Sequence, residues 1–158
     1  EVYGSDVRAD VAYLKARLAT EIPVATEGGV YLTVRDDDKE NLVPVAESLR
    51  ELGFTLYATP GTADVIRSAG VEVQTVYRIA ERKHPDALDL MRTDQVSFIV
   101  NIPTISGGAV RDGNMMRRLA VEMNIPFVTT MSGAVMEVSA IKAMKEVELQ
   151  PMRLKVNY

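Results

Sequence analysis

The sequence predicts an α/β domain in which a five-stranded parallel sheet lies between two layers of helices. Two observations lead to this fold class. From Gly28 onward, short runs rich in β-branched and aromatic residues alternate with helical patterns, and parallel neighbours in a sheet need crossover connections that are usually helices. In addition, 47% of the 158 residues are apolar, which suffices for one ordinary core. We therefore expect a doubly wound, three-layer domain preceded by an N-terminal helix.

The N-terminal 27 residues have a different pattern from the rest of the chain. Residues 9–19 place Val11 and Leu14 among charged residues at helical spacing, and residues 21–27 contain Pro23 and are typical of a linker. A lone helix of this length is only marginally stable in water. The segment is therefore expected either to pack on the α/β domain or to contact a partner outside this chain.

The remaining elements follow as pairs of strand and helix. Each strand is predicted from a short β-rich run and each helix from apolar residues at helical spacing. The strands are expected at 30–34, 55–58, 71–77, 96–100 and 127–128, and the helices near 42–49, 60–69, 87–91, 115–123 and 133–145. Met115, Met116 and Met123 are expected in the core. The acidic run 36–38 is expected to favour the positive end of the next helix rather than to hold a metal, because consecutive carboxylates do not converge.

The composition excludes several function classes. The chain has no cysteine and one histidine, His84, so disulfides, thiolate catalysis and histidine-rich metal centres are not expected. The net charge is −4 with acids and bases interspersed, which gives no electrostatic case for nucleic acid or an anionic membrane. No apolar run approaches the roughly 20 residues that span a bilayer, and no secretion signal is recognisable. We expect a soluble, cytoplasmic protein with no metal or cofactor of its own.

The turn after the second strand has the features of an anion site. The strand stops at Thr59, and a helix begins near Pro60 or Gly61. Proline suits the first helical position, glycine allows a ligand to approach the backbone, and the free N–H groups of a helix N-terminus attract negative charge. Thr59 and Thr62 add hydroxyls with room for a phosphate between them. The alternative is that Thr59 only caps the helix and Gly61 only eases the turn.

Polar side chains also end the other predicted strands. In a doubly wound sheet, ligands bind beyond the carboxyl ends of the strands, near the switch in strand order. The residues that close the five strands are Thr33 with Arg35, Thr59, Arg78, Asn101, and Thr129 with Thr130. A single one of them is explained as an ordinary loop residue. Together they predict a binding site at this edge.

Several motifs are similar to those of the methylglyoxal-synthase-like superfamily. They are Thr33-Val34-Arg35 with Lys39, Gly53-Phe54, Ala58-Thr59-Pro60-Gly61-Thr62-Ala63, the Asn101 loop, Arg117-Arg118 with Ala120, and Ile125-Pro126 with Thr129-Thr130. Within that superfamily, the chain most resembles the C-terminal regulatory domains of carbamoyl phosphate synthetase large chains. The segments Glu1-Val2-Tyr3-Gly4 and Ala12-Tyr13-Leu14-Lys15-Ala16 resemble the end of the second synthetase unit in that family. The resemblance implies that residues 1–27 are the end of that unit plus a linker, and that residues 28–158 are the regulatory domain.

The resemblance also implies a function. The chain would be a non-catalytic, allosteric part of an ATP-dependent ligase that makes carbamoyl phosphate from bicarbonate and glutamine-derived ammonia. The product would serve pyrimidine biosynthesis, arginine biosynthesis or both. ATP and Mg²⁺ or Mn²⁺ would act elsewhere in the parent enzyme, and the partners would be its synthetase body and its glutaminase small subunit. In bacterial members of the family the domain binds nucleotides, with UMP inhibiting and IMP activating. Some eukaryotic members respond to UTP or to an acylated amino acid.

Site residues follow from the same resemblance. Lys39, Thr59 and Thr62 match positions that hold the effector phosphate, and Thr33 matches a hydroxyl position beside them. A lysine, hydroxyls and the helix-terminal N–H groups near Gly61 would form a charge-assisted cradle for a dianion. Three further positions match polar contacts of the family pattern: Arg78, Asn101 and Asp112. At Arg78 the bacterial pattern has a lysine, so the positive charge is kept but its geometry differs.

The sequence departs from the family pattern in two places. After Asn101 the pattern has threonines, whereas this chain has Ile102 and Pro103, so Thr104 is expected to substitute through a longer loop. Phe127 and Thr129 match a possible ornithine-type site at the junction with the synthetase unit, where Phe127 replaces a tyrosine and so lacks its hydroxyl.

Two alternative functions remain open. A methylglyoxal synthase-type lyase acting on dihydroxyacetone phosphate would need a carboxylate base and histidines as acids. Arg35 stands at the position of an early histidine in that pattern, and His84 is expected to be an exposed loop residue. The other alternative is a docking module without a ligand, which would use the N-terminal helix or the methionine face.

Overall fold

A five-stranded, all-parallel sheet forms the centre of the computed structural model, which describes residues 1–103 and 108–149. The strands are β1 Gly29–Val34, β2 Thr55–Ala58, β3 Gln74–Thr75, β4 Phe98–Ile102 and β5 Phe127–Val128. The helices are α1 Ala9–Leu18, α2 Lys39–Glu51, α3 Pro60–Ser68, α4 Ala87–Arg92, α5 Gly108–Glu122 and α6 Met131–Glu146. This arrangement confirms the predicted α/β class.

The strand order places the switch point between β1 and β4. The sheet runs β3-β2-β1-β4-β5, so the chain winds outward from β1 in one direction and then returns to wind outward in the other. Thr33 of β1 pairs with Asn101 of β4, and Leu32 pairs with Ala58 of β2. The carboxyl ends of these three central strands therefore lie side by side, where doubly wound folds hold their ligands.

Apolar residues cover both faces of the sheet. In β1, Val30 and Leu32 face a core completed by α2, α3 and α6, whereas Tyr31 faces a second core completed by α4 and α5. Neighbouring residues of a strand point to opposite faces. Tyr31 and Thr33 thus share the face that looks toward α5.

Helix α1 packs on α6, so the first of the two expectations for this segment is correct. Val11 and Leu14 are buried against Ala140 and Ala143. A polar contact accompanies this packing, because the carboxylate of Glu137 accepts hydrogen bonds from the Tyr13 hydroxyl at 2.8 Å and from the guanidinium of Arg17. Burial and this carboxylate raise the pKa of Tyr13 to about 12.

Two strands differ from their predicted bounds by more than one residue. β3 contains only Gln74–Thr75 rather than 71–77, because it is an edge strand that pairs with β2 over two residues. β4 begins at Phe98 and continues through Ile102, since Ile102 pairs with Val34 and accepts a hydrogen bond from the Arg35 N–H. Asn101 therefore lies within β4 rather than after it.

The acidic run and one methionine also differ from expectation. Residues Asp36–Asp38 form a 3-10 turn, and Asp38 makes no side-chain capping bond to α2; the carboxylates of Asp36 and Asp38 pair instead with Lys39 and Arg35. Met115 is exposed, while Met116 is buried and Met123 is half-buried against the core. Adjacent helical residues point about 100° apart, so Met115 and Met116 do not face the same way.

Within the part of the chain that the structure describes, none of the helices combines the length and apolar character needed to cross a bilayer.

Candidate functional site

A cavity of about 300 Å³ lies at the carboxyl ends of β1, β2 and β4. Seven of the residues predicted for the site line it together: Thr33, Lys39, Thr59, Thr62, Arg78, Asn101 and Asp112. Thr104 lies outside the described residues. The cavity stands at the switch point in strand order, which is the place where this class of fold binds ligands.

Three threonine hydroxyls meet at one end of the cavity. The Thr59 hydroxyl lies 3.4 Å from that of Thr62 and 3.5 Å from that of Thr33. These separations leave no room for a phosphate between Thr59 and Thr62, so that expectation was wrong. They are also long for hydroxyl hydrogen bonds, which favour about 2.7–2.8 Å. The three groups thus retain capacity to bind an anion that approaches them from the cavity.

Thr59 does not act as a side-chain cap. Its backbone is extended, as at an N-cap, but its side chain makes no capping hydrogen bond to α3. The Thr62 and Ala63 N–H groups donate instead to the Thr59 carbonyl oxygen. Pro60 occupies the first helical position and has no N–H. The capping alternative therefore fails to account for the hydroxyl of Thr59.

Gly61 makes room for the ammonium group of Lys39. A Cβ atom added at Gly61 would stand 2.8 Å from Lys39 Nζ, closer than a carbon and an ammonium nitrogen pack. Any side chain at Gly61 would therefore displace this ammonium from the N-terminus of α3. Lys39 begins α2 and reaches across to α3, so its positive charge adds to that of the helix N-terminus.

The charged side chains around the cavity are mostly paired with one another. Lys39 Nζ donates to Asp36 at 2.6 Å, and Arg35 Nε donates to Asp38 at 2.6 Å. The contact with Lys39 lowers the pKa of Asp36. The Asp112 carboxylate accepts a hydrogen bond from the Ala80 N–H at 3.2 Å, which ties α5 to the loop that follows β3.

Asn101 presents a buried donor that lacks a partner. The residue is 3% exposed, and among the described residues its Nδ2 meets no hydrogen-bond acceptor. Gly113 of α5 allows this position, because a Cβ there would stand 2.7 Å from Asn101 Nδ2. A buried polar group without a partner costs about 1–3 kcal/mol. An acceptor supplied by a ligand in the cavity would recover that cost.

Tyr31 and Gly113 are site residues that the sequence-based prediction missed. Tyr31 lines the cavity although it lies inside β1. Its pKa is raised, first by burial and then by the nearby carboxylate of Asp112. Its spacing of two from Thr33 placed it on the same face of the strand. A glycine in mid-helix, as at Gly113, is a comparable signal of close backbone approach.

Phe127 and Thr129 lie apart from the cavity. Phe127 belongs to β5, which β4 separates from β1, and its ring is 5.6 Å from the guanidinium carbon of Arg117. Thr129 is exposed, and neither residue lines the cavity. The structure therefore does not bring these two residues together with the phosphate-site residues.

His84 also lies outside the cavity. Its side chain is 74% exposed, as expected, and its Nδ1 contacts the Asp89 carboxylate. This contact raises the pKa of His84. The ligand atoms of His84, Asp86 and Asp89 lie within 4.8 Å of one another, but both carboxylates accept N–H groups at the start of α4 as a capping box. Helix capping thus accounts for this cluster.

Comparisons with known proteins agree with the fold. A family model described as "MGS-like domain" matches residues 41–129. The chain is 43% identical over 150 residues to the carbamoyl phosphate synthase large chain, C-terminal section, of Methanocaldococcus jannaschii. The alignment covers 94% of this chain and 24% of that protein. It is 40% identical over 146 residues to the protein of the same description from Methanopyrus kandleri. That alignment covers 92% of this chain and 27% of the relative.

A third relative has the same kind of description. The carbamoyl phosphate synthase large chain of Methanosarcina barkeri is 38% identical over 148 residues, with 94% of this chain and 37% of that protein covered. The chain thus spans well under half the length of the curated relatives it matches. Because the family model matches more than half of its residues, the chain belongs to the MGS-like domain family.

Proposed function

We propose that the chain is the regulatory part of a carbamoyl phosphate synthase large chain and binds a phosphorylated effector, such as UMP or IMP, in the cavity at the carboxyl ends of the strands. The relatives that support this proposal carry the name of that large chain and align with over nine-tenths of the present chain. On this proposal, ATP and Mg²⁺ or Mn²⁺ serve the synthetase body of the parent enzyme, and a glutaminase small subunit supplies its ammonia.

The observation that carries the effector site is the unpartnered amide of Asn101. Its Nδ2 is buried at the wall of a cavity that also collects threonine hydroxyls and cationic side chains. A set of donors with few acceptors suits a ligand rich in acceptor oxygens. A phosphate monoester has three such oxygens and carries between −1.5 and −2 charges at neutral pH.

The phosphate is expected at the end of the cavity where α3 begins. The ammonium of Lys39 and the helix N-terminus supply positive charge there, and the three threonine hydroxyls supply neutral donors. Asn101 pairs with Thr33 in the sheet, so its amide contacts either the same phosphate or the adjoining part of the effector. Binding regulates the parent enzyme if the effector favours one conformation over another, typically by about 1–3 kcal/mol.

The lyase alternative has weaker support from the cavity. The described lining residues include no histidine, and the two lining carboxylates already accept hydrogen bonds, Asp36 from Lys39 and Asp112 from Ala80. Proton abstraction from carbon needs a carboxylate that is placed against the substrate and free to accept the proton. These residues therefore favour binding of a phosphate ester over its conversion.

A docking function has one observation in its favour. Helix α5 exposes Met115 and Val121 to solvent, beside a groove of about 640 Å³ between α4 and α5. Exposed apolar side chains beside a groove are one feature of contacts between proteins. Docking to the synthetase body through α5 is compatible with effector binding, since α5 contributes Asp112 and Met116 to the cavity from another side.

Calorimetric titration of the chain with UMP, IMP and UTP tests the effector site. We expect binding of at least one nucleotide, and a loss of affinity of about tenfold to a hundredfold in Lys39→Ala, because charged hydrogen bonds contribute about 1.5–3 kcal/mol. Thr62→Val removes a hydroxyl at nearly constant volume and should weaken binding less. Ser68→Ala, at the exposed far end of α3, is the matched control. If no nucleotide binds at millimolar concentration, the effector site is refuted and docking becomes the better account.

A further inference from the structure

Lys39 already has an anionic partner that belongs to the chain itself. Its Nζ donates to Asp36 Oδ1 at 2.6 Å, across three residues of the turn that leads into α2. Asp36 lines the same cavity as Lys39. The group that the proposed function assigns to the phosphate is therefore engaged with a carboxylate at the cavity.

The two partners differ sharply in their exposure to solvent. The Asp36 side chain is 90% exposed, whereas that of Lys39 is 19% exposed. Lys39 Nζ lies beside Gly61 at the start of α3, and Lys39 lines the cavity. The Asp36 carboxylate can rotate into water without exposing a buried group, and water screens an ion pair that has one exposed partner.

The neighbouring ion pair does not have this freedom. Asp38 is 13% exposed at its side chain and accepts the Arg35 Nε–H at 2.6 Å. Asp37 is exposed, and no ion pair of Asp37 is found within the described ranges. Among the three acidic residues of the turn, Asp36 is thus the one that both contacts a cavity cation and can leave it.

We propose that Asp36 is an internal competitor of the anionic effector, which binds more tightly when the Asp36 carboxylate has left Lys39. This inference rests on the proposed function, and it assigns to Asp36 a role in setting the affinity of the site. A carboxylate oxygen and a phosphate oxygen accept from an ammonium in the same way. The ammonium has three N–H groups, but two anions held by the same ammonium repel each other, so Asp36 and the effector compete for Lys39.

The electrostatics of the turn support this competition at neutral pH. The hydrogen bond from Lys39, assisted by the charges of Lys39 and Arg78, keeps the pKa of Asp36 below its ordinary value. Asp36 is therefore a carboxylate under physiological conditions. After displacement it remains near the bound phosphate, and like charges repel each other. Both the lost ion pair and the repulsion lower the affinity for an anion.

Asp36→Asn tests the inference in the full 158-residue chain. The amide keeps the size of the side chain and removes its charge. Given the strength of exposed ion pairs and of nearby repulsion, we expect this variant to bind inorganic phosphate and UMP about threefold to tenfold more tightly than the unmodified chain. Asp37→Asn changes the net charge equally and is the matched control, with a smaller gain expected. The difference between the two variants should shrink as ionic strength rises.

The outcomes separate this inference from the proposed function. Tighter binding in Asp36→Asn than in Asp37→Asn supports it, including the case in which only Asp36→Asn binds measurably. Equal affinity of the two variants, or weaker binding by Asp36→Asn, overturns the inference and leaves the effector site intact if the unmodified chain binds UMP. Absence of binding by all three proteins overturns both. Circular dichroism melting of each variant shows whether it is folded at the titration temperature.

Discussion

At the scale of single residues, the site is marked by a buried donor without a partner and by two glycines that allow close contacts. Asn101 buries an amide donor, and Gly113 leaves the space in which that amide fits. Gly61 does the same for the ammonium of Lys39. These two glycines are needed for close approach of another residue of the chain, in one case an amide and in the other a cation.

Asn101→Leu separates stability from binding at this residue. Replacing an unpartnered buried donor by an apolar side chain of similar size removes a desolvation cost, so we expect the free energy of unfolding to rise by about 1 kcal/mol. The same change removes a donor to the effector, so affinity for UMP should fall. Urea denaturation and calorimetry measure the two effects.

Asn114→Leu is the control for this prediction, because Asn114 is exposed on α5. It should leave UMP affinity unchanged. A loss of stability in Asn101→Leu without any loss of affinity would contradict the assignment of Asn101 to the site.

At the scale of secondary structure elements, the sequence predicted existence and order better than extent. The β-rich runs of β1 and β2 and the threonine turn before α3 carry strong local signals, and the structure has them there. β3 is shorter than its apolar pattern because pairing with β2 ends after two residues, and pairing depends on a neighbouring strand. For the same reason the cavity-facing position of Tyr31 follows from strand period only once the faces of the sheet are known.

Packing of α1 on the α/β domain was one of the two alternatives that the sequence offered. The sequence patterns did not predict the ion pair between Arg17 and Glu137 that accompanies this packing. Nothing in local periodicity joins Arg17 to Glu137, which are 120 residues apart. Their contact depends on the way in which the last helix returns across the sheet.

Arg17→Leu tests how strongly this contact holds α1 in place. Glu137 is 1% exposed, and removing the partner of a buried charge costs about 3–5 kcal/mol. We expect a loss near the lower end of that range, since the Tyr13 hydroxyl still donates to Glu137. The double variant Arg17→Leu/Glu137→Leu should recover a large part of the loss, because it removes both charges.

Urea denaturation of the two single variants and the double variant measures this coupling. A loss below about 0.5 kcal/mol in Arg17→Leu, within the range of ordinary surface substitutions, would show that apolar packing alone docks α1.

At the scale of the whole molecule, stability near neutral pH should depend on the only histidine of the chain. The hydrogen bond to Asp89, with the charge of that carboxylate, raises the pKa of His84 above 6.5. The protonated form is thus favoured in the folded protein. The contact between His84 and Asp89 contributes fully to stability at pH values below the pKa that His84 has in the unfolded chain. This contribution is lost as the pH rises through the higher pKa that His84 has in the folded protein.

We expect the free energy of unfolding to fall slightly as the pH rises through the folded pKa of His84. In His84→Gln this fall should be absent. Urea denaturation at several pH values measures the profile, and NMR titration of the single imidazole gives its pKa directly. An imidazole pKa at or below 6.5 would contradict the role of Asp89.

The two outermost strands, β3 and β5, each contain only two residues. An edge strand exposes unpaired backbone groups that can pair with a strand of another molecule, and this hazard grows with the length of the edge. A two-residue edge offers a poor template for such pairing. The sheet is thereby protected against edge-to-edge aggregation by the brevity of its margins, while its longer central strands carry the cavity.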